Sequence, residues 1–234
     1  MRADRTRPLL FLAGPGEFHA SGGPNLNATD NAFSSPKSLE IFASVLFGLG
    51  YDLGVLSPGE ADSLTARTTA WPPNFLVARE LTERVLPLAD GRKVGVLVLP
   101  PLPQGQEAPT AGVVSALADR AESLRQQCGL VIGISPWGYL AESAYVTRFP
   151  AAVDILLGAG PGPGTDQTAA GGKVLWLRGY TRGKTVQTVT VKAWPGQRRD
   201  FTWPKDGFEM DNQGLDDSKP SDPGVNDRLA GINP

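Results

Sequence analysis

Apolar positions along this chain fall into short unbroken runs, interrupted by two stretches of helical period. Pro8 to Ala13 is an apolar run that ends in Gly14-Pro15-Gly16, which predicts a buried strand entering a loop. Polar, Gly-, Asn- and Ser-rich sequence follows from Gly16 to Ser35. Ser35-Pro36 then supplies an N-cap and a first-turn proline, and Leu39, Phe42, Val45, Leu46 and Leu49 recur at helical spacing until Gly50. Tyr51 to Leu56 reads as a strand, and Arg92 to Leu99 as a strand covered on both faces. Thr110 caps a second predicted helix carrying Val113, Val114, Leu117, Ala118, Ala121 and Leu124, which stops before Gly129. Leu130 to Ile134, Val153 to Leu157, Lys173 to Leu177 and Thr185 to Trp194 complete the strands, the last with Thr and Gln interleaved as on a half-solvated face. Repeated strand-helix-strand order predicts an α/β domain over residues 1–194. From Pro195 to Pro234 the periodicity ceases, and Pro, Gly, Asp and Asn with scattered aromatics predict an extended tail.

Composition narrows the chemistry. Glycine (28) and proline (21) of 234 residues exceed the roughly 12% of average usage, as expected for many loops and few long helices. Lys+Arg 22 against Asp+Glu 24 gives net charge -2, without the basic field that binding nucleic acid requires. No apolar run approaches the roughly 18–20 residues that span a bilayer, so no membrane crossing is expected. A basic start, Met1 to Arg7, precedes an apolar run shorter than a signal-peptide core, and that run reads as a strand. One cysteine excludes an intrachain disulfide, and one histidine excludes any site built from two.

Local motifs are weak. Gly133-Ile134-Ser135-Pro136-Trp137-Gly138 has its second glycine one residue late for a nucleophile elbow, and the only histidine, His19, lies far upstream. The run Gly158 to Gly164 lacks the Lys-Ser or Lys-Thr of a phosphate loop, and its prolines remove N–H donors. Glu209, Asp211, Gln213 and Asp217 sit around Gly214 like a loose calcium loop, but Pro220 stands where the closing acid belongs. Cys128 at a helix C-terminus reads as an inert buried thiol. Asn27-Ala28-Thr29 fits a glycosylation acceptor, and the five tryptophans are dispersed, as suits core and partner contacts.

Five ordered segments between Pro8 and Trp194 carry a family resemblance. Leu12-Ala13-Gly14-Pro15-Gly16-Glu17-Phe18 stands where the calcineurin-like metallophosphoesterases of the 5′-nucleotidase branch have "D-A-G-D-x-F". Gly50 to Asp62 aligns without a gap to "G-Y-D-A-x-x-x-G-N-H-E-F-D", Asp90 to Leu97 resembles "dGvKVGVIG", Leu130 to Gly138 resembles "vvvxLSHLG", and Val153 to Gly162 resembles "iDvIlGGHTH". The resemblance implies a sandwich of two β-sheets flanked by helices, with the first metal-binding strand missing ahead of Met1. It also implies two metal ions that polarise a phosphate and generate hydroxide. The ligand positions are changed: the bridging Asp falls on Pro15, the Asn and His of "G-N-H-E" on Pro58 and Gly59, the "S-H" histidine on Pro136, and the "H-x-H" histidines on Gly160 and Gly162. Proline and glycine side chains carry no ligand atom.

The expectation is therefore a non-catalytic member of the family, without metal or other cofactor, kept as an accessory subunit of a larger assembly. Relatives of this branch are usually exported, which implies an extracytoplasmic location, and some occur beside multihaem c-type cytochromes, which makes such a cytochrome one candidate partner. This chain has no C-x-x-C-H for covalent haem. Phe201, Trp203, Phe208 and Met210 in the tail are the expected partner anchors. Two alternatives stay open: a small-molecule binder using the vestigial cleft, and a residual hydrolase around Glu17, His19, Glu60 and Asp62.

Overall fold

A computed structural model describes residues 8–18, 36–67, 69–179, 185–198, 200–216 and 218–230. His19, the acceptor Asn27-Ala28-Thr29, the N-cap Ser35 and Asp217 lie outside them. Strands β1 (Leu12–Ala13), β2 (Leu53–Leu56) and β3 (Phe75–Val77) form a small parallel sheet in that order. A larger sheet runs β4-β5-β6-β7-β9-β8, from β4 (Thr82–Pro87), β5 (Lys93–Val98), β6 (Leu130–Ser135), β7 (Ile155–Gly158), β8 (Thr165–Ala169) and β9 (Val174–Arg178). Its four inner strands are parallel, and β4 and β8 pair antiparallel at its two edges.

The apolar runs follow from how these strands are covered. In β5, Val94, Val96 and Val98 face the core between the sheets, while Leu97 faces the opposite way. Strand β6 repeats this with Leu130, Ile132 and Ile134 against Val131, and β9 with Leu175 and Leu177 against Val174 and Trp176. Period-2 alternation persists, but both faces are dry, so the sequence reads as continuous. Helices α3 (Ala111–Arg125) and α4 (Tyr139–Arg148) cover the outer face of the large sheet with Leu117, Leu124, Ala141 and Tyr145. Helices α1 (Pro36–Gly48) and α2 (Pro58–Thr65) cover the small sheet with Leu39, Ala43, Leu46 and Leu64. Gly54 is required where β2 meets β3, because a Cβ there would lie 2.2 Å from the Phe75 ring.

The reading of residues 195–234 as an extended tail is corrected. Strand β10 (Thr185–Val191) pairs antiparallel with β11 (Phe208–Gly214), setting Val191 opposite Phe208 and Val189 opposite Met210. All four pack against the core between the sheets, as do Phe201 and Trp203, which are 8% and 7% exposed. The Trp203 backbone N–H donates to Gly172 O at 2.8 Å and its indole N–H to Asp154 O at 3.0 Å. Phe201 and Trp203 are thus buried in the chain's own core, and Phe208 and Met210, half-buried, pack at its rim instead of standing on a free tail. The physical reason is coverage: three strands cannot hide the inner face of six, and these aromatics help to complete it. The short helix α5 (Pro223–Leu229), capped by Asp222, lies beside α1.

Candidate functional site

The six vestigial positions fall at the C-terminal ends of parallel strands: Pro15 after β1, Pro58 and Gly59 after β2, Pro136 after β6, and Gly160 and Gly162 after β7. The β6 and β7 loops are knitted together, since Ala159 N–H donates to Ser135 O at 2.7 Å, Gly138 N–H to Ala159 O at 3.0 Å and Tyr139 N–H to Pro161 O at 2.9 Å. A Cβ on Gly14 would stand 3.6 Å from the Ala159 Cβ, so the β1 turn abuts the same loop. Pro15, Gly59 and Pro136 are buried and Gly162 is exposed.

A guanidinium organises this end of the large sheet. Arg178, the last residue of β9, is 2% exposed, and its Nη1 lies 2.5 Å from Oε2 of Glu142, a residue of α4 that is wholly buried. Its remaining donors lace the loop after β7: Nε to Pro163 O (3.1 Å), Nη1 to Ala159 O (3.2 Å), and Nη2 to Gly160 O (2.8 Å) and Pro161 O (3.2 Å). The Trp176 indole N–H donates to the same Glu142 oxygen at 2.9 Å. Burial pushes the Glu142 carboxyl above its ordinary value, and the Arg178 charge and hydrogen bonds oppose that shift. Gly158 is obligatory here, since a Cβ would come within 2.0 Å of Glu142 Oε2.

The carboxylates that the resemblance preserved are engaged in structure. Glu60 is 2% exposed and accepts from three backbone donors: Gly16 N–H, shared between both oxygens at 3.1 Å, Phe18 N–H (2.8 Å) and Ser57 N–H (2.7 Å). Together with the Ser57 side chain it forms the capping box of α2, with Pro58 in the first turn, and clamps the β1 turn at the same time. Asp62 is exposed and paired with Arg79 at 2.5 Å. Glu17 is exposed. Burial and the nearby Glu60 charge nevertheless push the Glu17 carboxyl above its ordinary value, so the structure brings Glu17 close to Glu60, while Glu60 is spent on backbone donors and Asp62 on its pair with Arg79.

Other candidates resolve in the same way. Ser135 is buried and its hydroxyl accepts from Trp137 N–H at 3.2 Å, so it is no exposed nucleophile. Cys128 is 2% exposed, and burial raises its thiol pKa. Glu209, Asp211 and Gln213 lie on β11, paired along its length with β10, not in a loop that could wrap an ion.

These residues do not fit a dinuclear metal centre. The positions that would supply ligands carry proline and glycine, Glu60 and Glu142 already accept hydrogen bonds from protein donors, and a buried cation sits among the carbonyls of the β7 loop. Among the described residues, no three His, Cys, Asp or Glu side chains gather as a metal set. Arg178 and Glu142 escaped sequence reasoning. The available signal was an arginine closing the apolar run Val174 to Leu177, a charge that needs a buried partner.

No family model matches the chain, and neither does any curated protein. Among solved structures, Thermus thermophilus sulfate thiohydrolase SoxB in complex with glycerol matches with a TM-score of 0.61 at 15% sequence identity. The match covers 94% of this chain and 42% of that one, so the chain spans less than half the length of SoxB. The shared feature is the fold, a metallophosphoesterase-type α/β sandwich, as the sequence resemblance implied.

Proposed function

We propose that this chain is a non-catalytic protein on a metallophosphoesterase-type scaffold, acting as an accessory subunit of a larger extracytoplasmic assembly through a protein partner. The observation that carries the reading is the lacing of the β7 loop by Arg178, where a hydrolase of this type would need ligands for divalent cations. A guanidinium fixed beside those carbonyls repels a metal ion, and Pro and Gly at the other positions offer nothing to replace it. The location and the possible cytochrome partner rest on the sequence resemblance.

Two measurements test the proposal. Protein incubated with excess Mn²⁺ or Zn²⁺ and desalted should retain no stoichiometric metal, and should hydrolyse p-nitrophenyl phosphate and 5′-nucleotides no faster than a metal-only blank. Turnover proportional to protein concentration overturns the non-catalytic reading. The native mass of the protein gently extracted from its source should exceed 24.7 kDa in a stoichiometric complex, with a haem absorption band if the partner is a cytochrome. A clean monomer overturns the subunit reading.

A further inference from the structure

At the opposite, N-terminal edge of the large sheet, three cations converge on one small depression. It is lined by Arg125 at the end of α3, Ala151, Val153 and Asp154 ahead of β7, Lys173 ahead of β9, and Arg198 and Phe201 beyond β10. Its interior has about 10 Å³, room for one water-sized oxygen, so a larger anion would rest at its mouth. Arg125 also lines an adjoining open depression of about 240 Å³, shared with Glu122, Gln126 and Gln197.

The charges in the small depression do not cancel. Asp154 is the only carboxylate lining it, and Arg125 engages it twice, from Nη2 to Oδ1 at 2.7 Å and from Nη1 to Oδ2 at 3.0 Å, while Val131 N–H donates to Oδ2 at 2.8 Å. That leaves Lys173 and Arg198 with no carboxylate partner among the described residues. Arg198 is also held in place. Its guanidinium lies 5.0 Å over the Phe201 ring, Nε donates to Pro195 O at 3.2 Å and Nη2 to Trp194 O at 3.3 Å, and Nη1 has no acceptor among the described residues. A fixed guanidinium loses little freedom on meeting an anion, and its planar fork matches an oxyanion.

We propose that the mouth of this depression is an oxyanion site, where Arg198 and Lys173 at its rim grip a phosphate or carboxylate head with one oxygen seated in the depression, while the open depression beside Arg125 accommodates the polar remainder of the ligand. The inference is independent of the non-catalytic reading, because the site lies at the other end of the strands from the vestigial positions.

The test is calorimetric titration with inorganic phosphate and, separately, with citrate, at constant ionic strength set by NaCl. Saturable binding of phosphate, of citrate or of both supports the site, and the stronger titrant identifies the head group. Lys173→Ala and Arg198→Ala should each weaken that binding about tenfold, the scale of one charge-assisted hydrogen bond, and the double variant should abolish it. Both side chains are exposed, so the variants should keep the wild-type thermal midpoint in chloride, which separates loss of the site from loss of the fold. Heat that never saturates, or binding undiminished in the double variant, overturns the proposal.

Discussion

The two ends of the large sheet are each tied by an arginine and a carboxylate, and the two ties differ. At the C-terminal end, Arg178 and Glu142 are 2% and 0% exposed, and the guanidinium spends its donors on one carboxylate oxygen and four backbone carbonyls. At the N-terminal end, Arg125 and Asp154 are 12% and 5% exposed, and the guanidinium forks onto both oxygens of one carboxylate. The first arrangement closes a loop completely. The second stabilises a floor and leaves cations at its rim. The same chemical pair therefore seals one end of the sheet and leaves the other able to attract an anion.

The largest expected effect comes from breaking the sealed end. Arg178→Met leaves Glu142 buried without its cation and removes donors from four carbonyls, a loss of about 3–5 kcal/mol in chemical denaturation. Pairing it with Glu142→Leu should recover part of that loss, because an apolar pair of similar volume avoids the stranded charge. If the double variant is no more stable than Arg178→Met, the pair is not the origin of the effect. Trp203→Ala should cost a comparable ~3–5 kcal/mol by opening the inner core, with the unfolding midpoint as readout. A cost under ~1 kcal/mol would return Trp203 to the role of a free anchor.

Asp154→Ala at the more open end should cost less, about 2–3 kcal/mol, since Arg125 then regains water through its exposed side. A pH series sharpens the contrast. Burial raises the folded pKa values of Glu142 and Asp154 above their ordinary 4.5 and 3.8. Each carboxyl then holds its proton more tightly folded than unfolded, so its contribution to stability is full below the ordinary carboxylate range and is lost as pH rises through the folded value. In Arg178→Met the opposing cation is gone and the fall should steepen, so its deficit grows as pH rises above the ordinary carboxylate range in urea titrations. A deficit independent of pH would mean that Glu142 is not the group responsible. The smallest effect belongs to Asp62→Asn, where an exposed pair with Arg79 predicts a change under about 1 kcal/mol.

Legibility tracked local chemistry. Strands β5, β6 and β9 were readable because covering both faces concentrates apolar residues into one run. The edge strands β4 and β8 were not, since Thr82-Glu83-Arg84 and Thr165-Asp166-Gln167 face solvent on at least one side and break the pattern. Helix α4 hid its inward face behind Glu142, a charge where a helix-period reading expects an apolar residue. The aligned segment Gly50 to Asp62 contained β2, yet Glu60 read as a survivor of catalysis when its work is to hold three N–H groups. Phe201 and Trp203 were recognisable as anchors, but their target lies far back along the chain at Gly172 and Asp154, where no local pattern could point.

The return of the C-terminal segment sets a constraint on biosynthesis. Strands β5 to β9 emerge from the ribosome with an apolar inner face that waits for Phe201, Trp203, Phe208 and Met210 to be synthesised. A nascent chain paused before Phe201 would display that face alongside the unpaired edges of its sheets, the state most prone to aggregation or capture by chaperones.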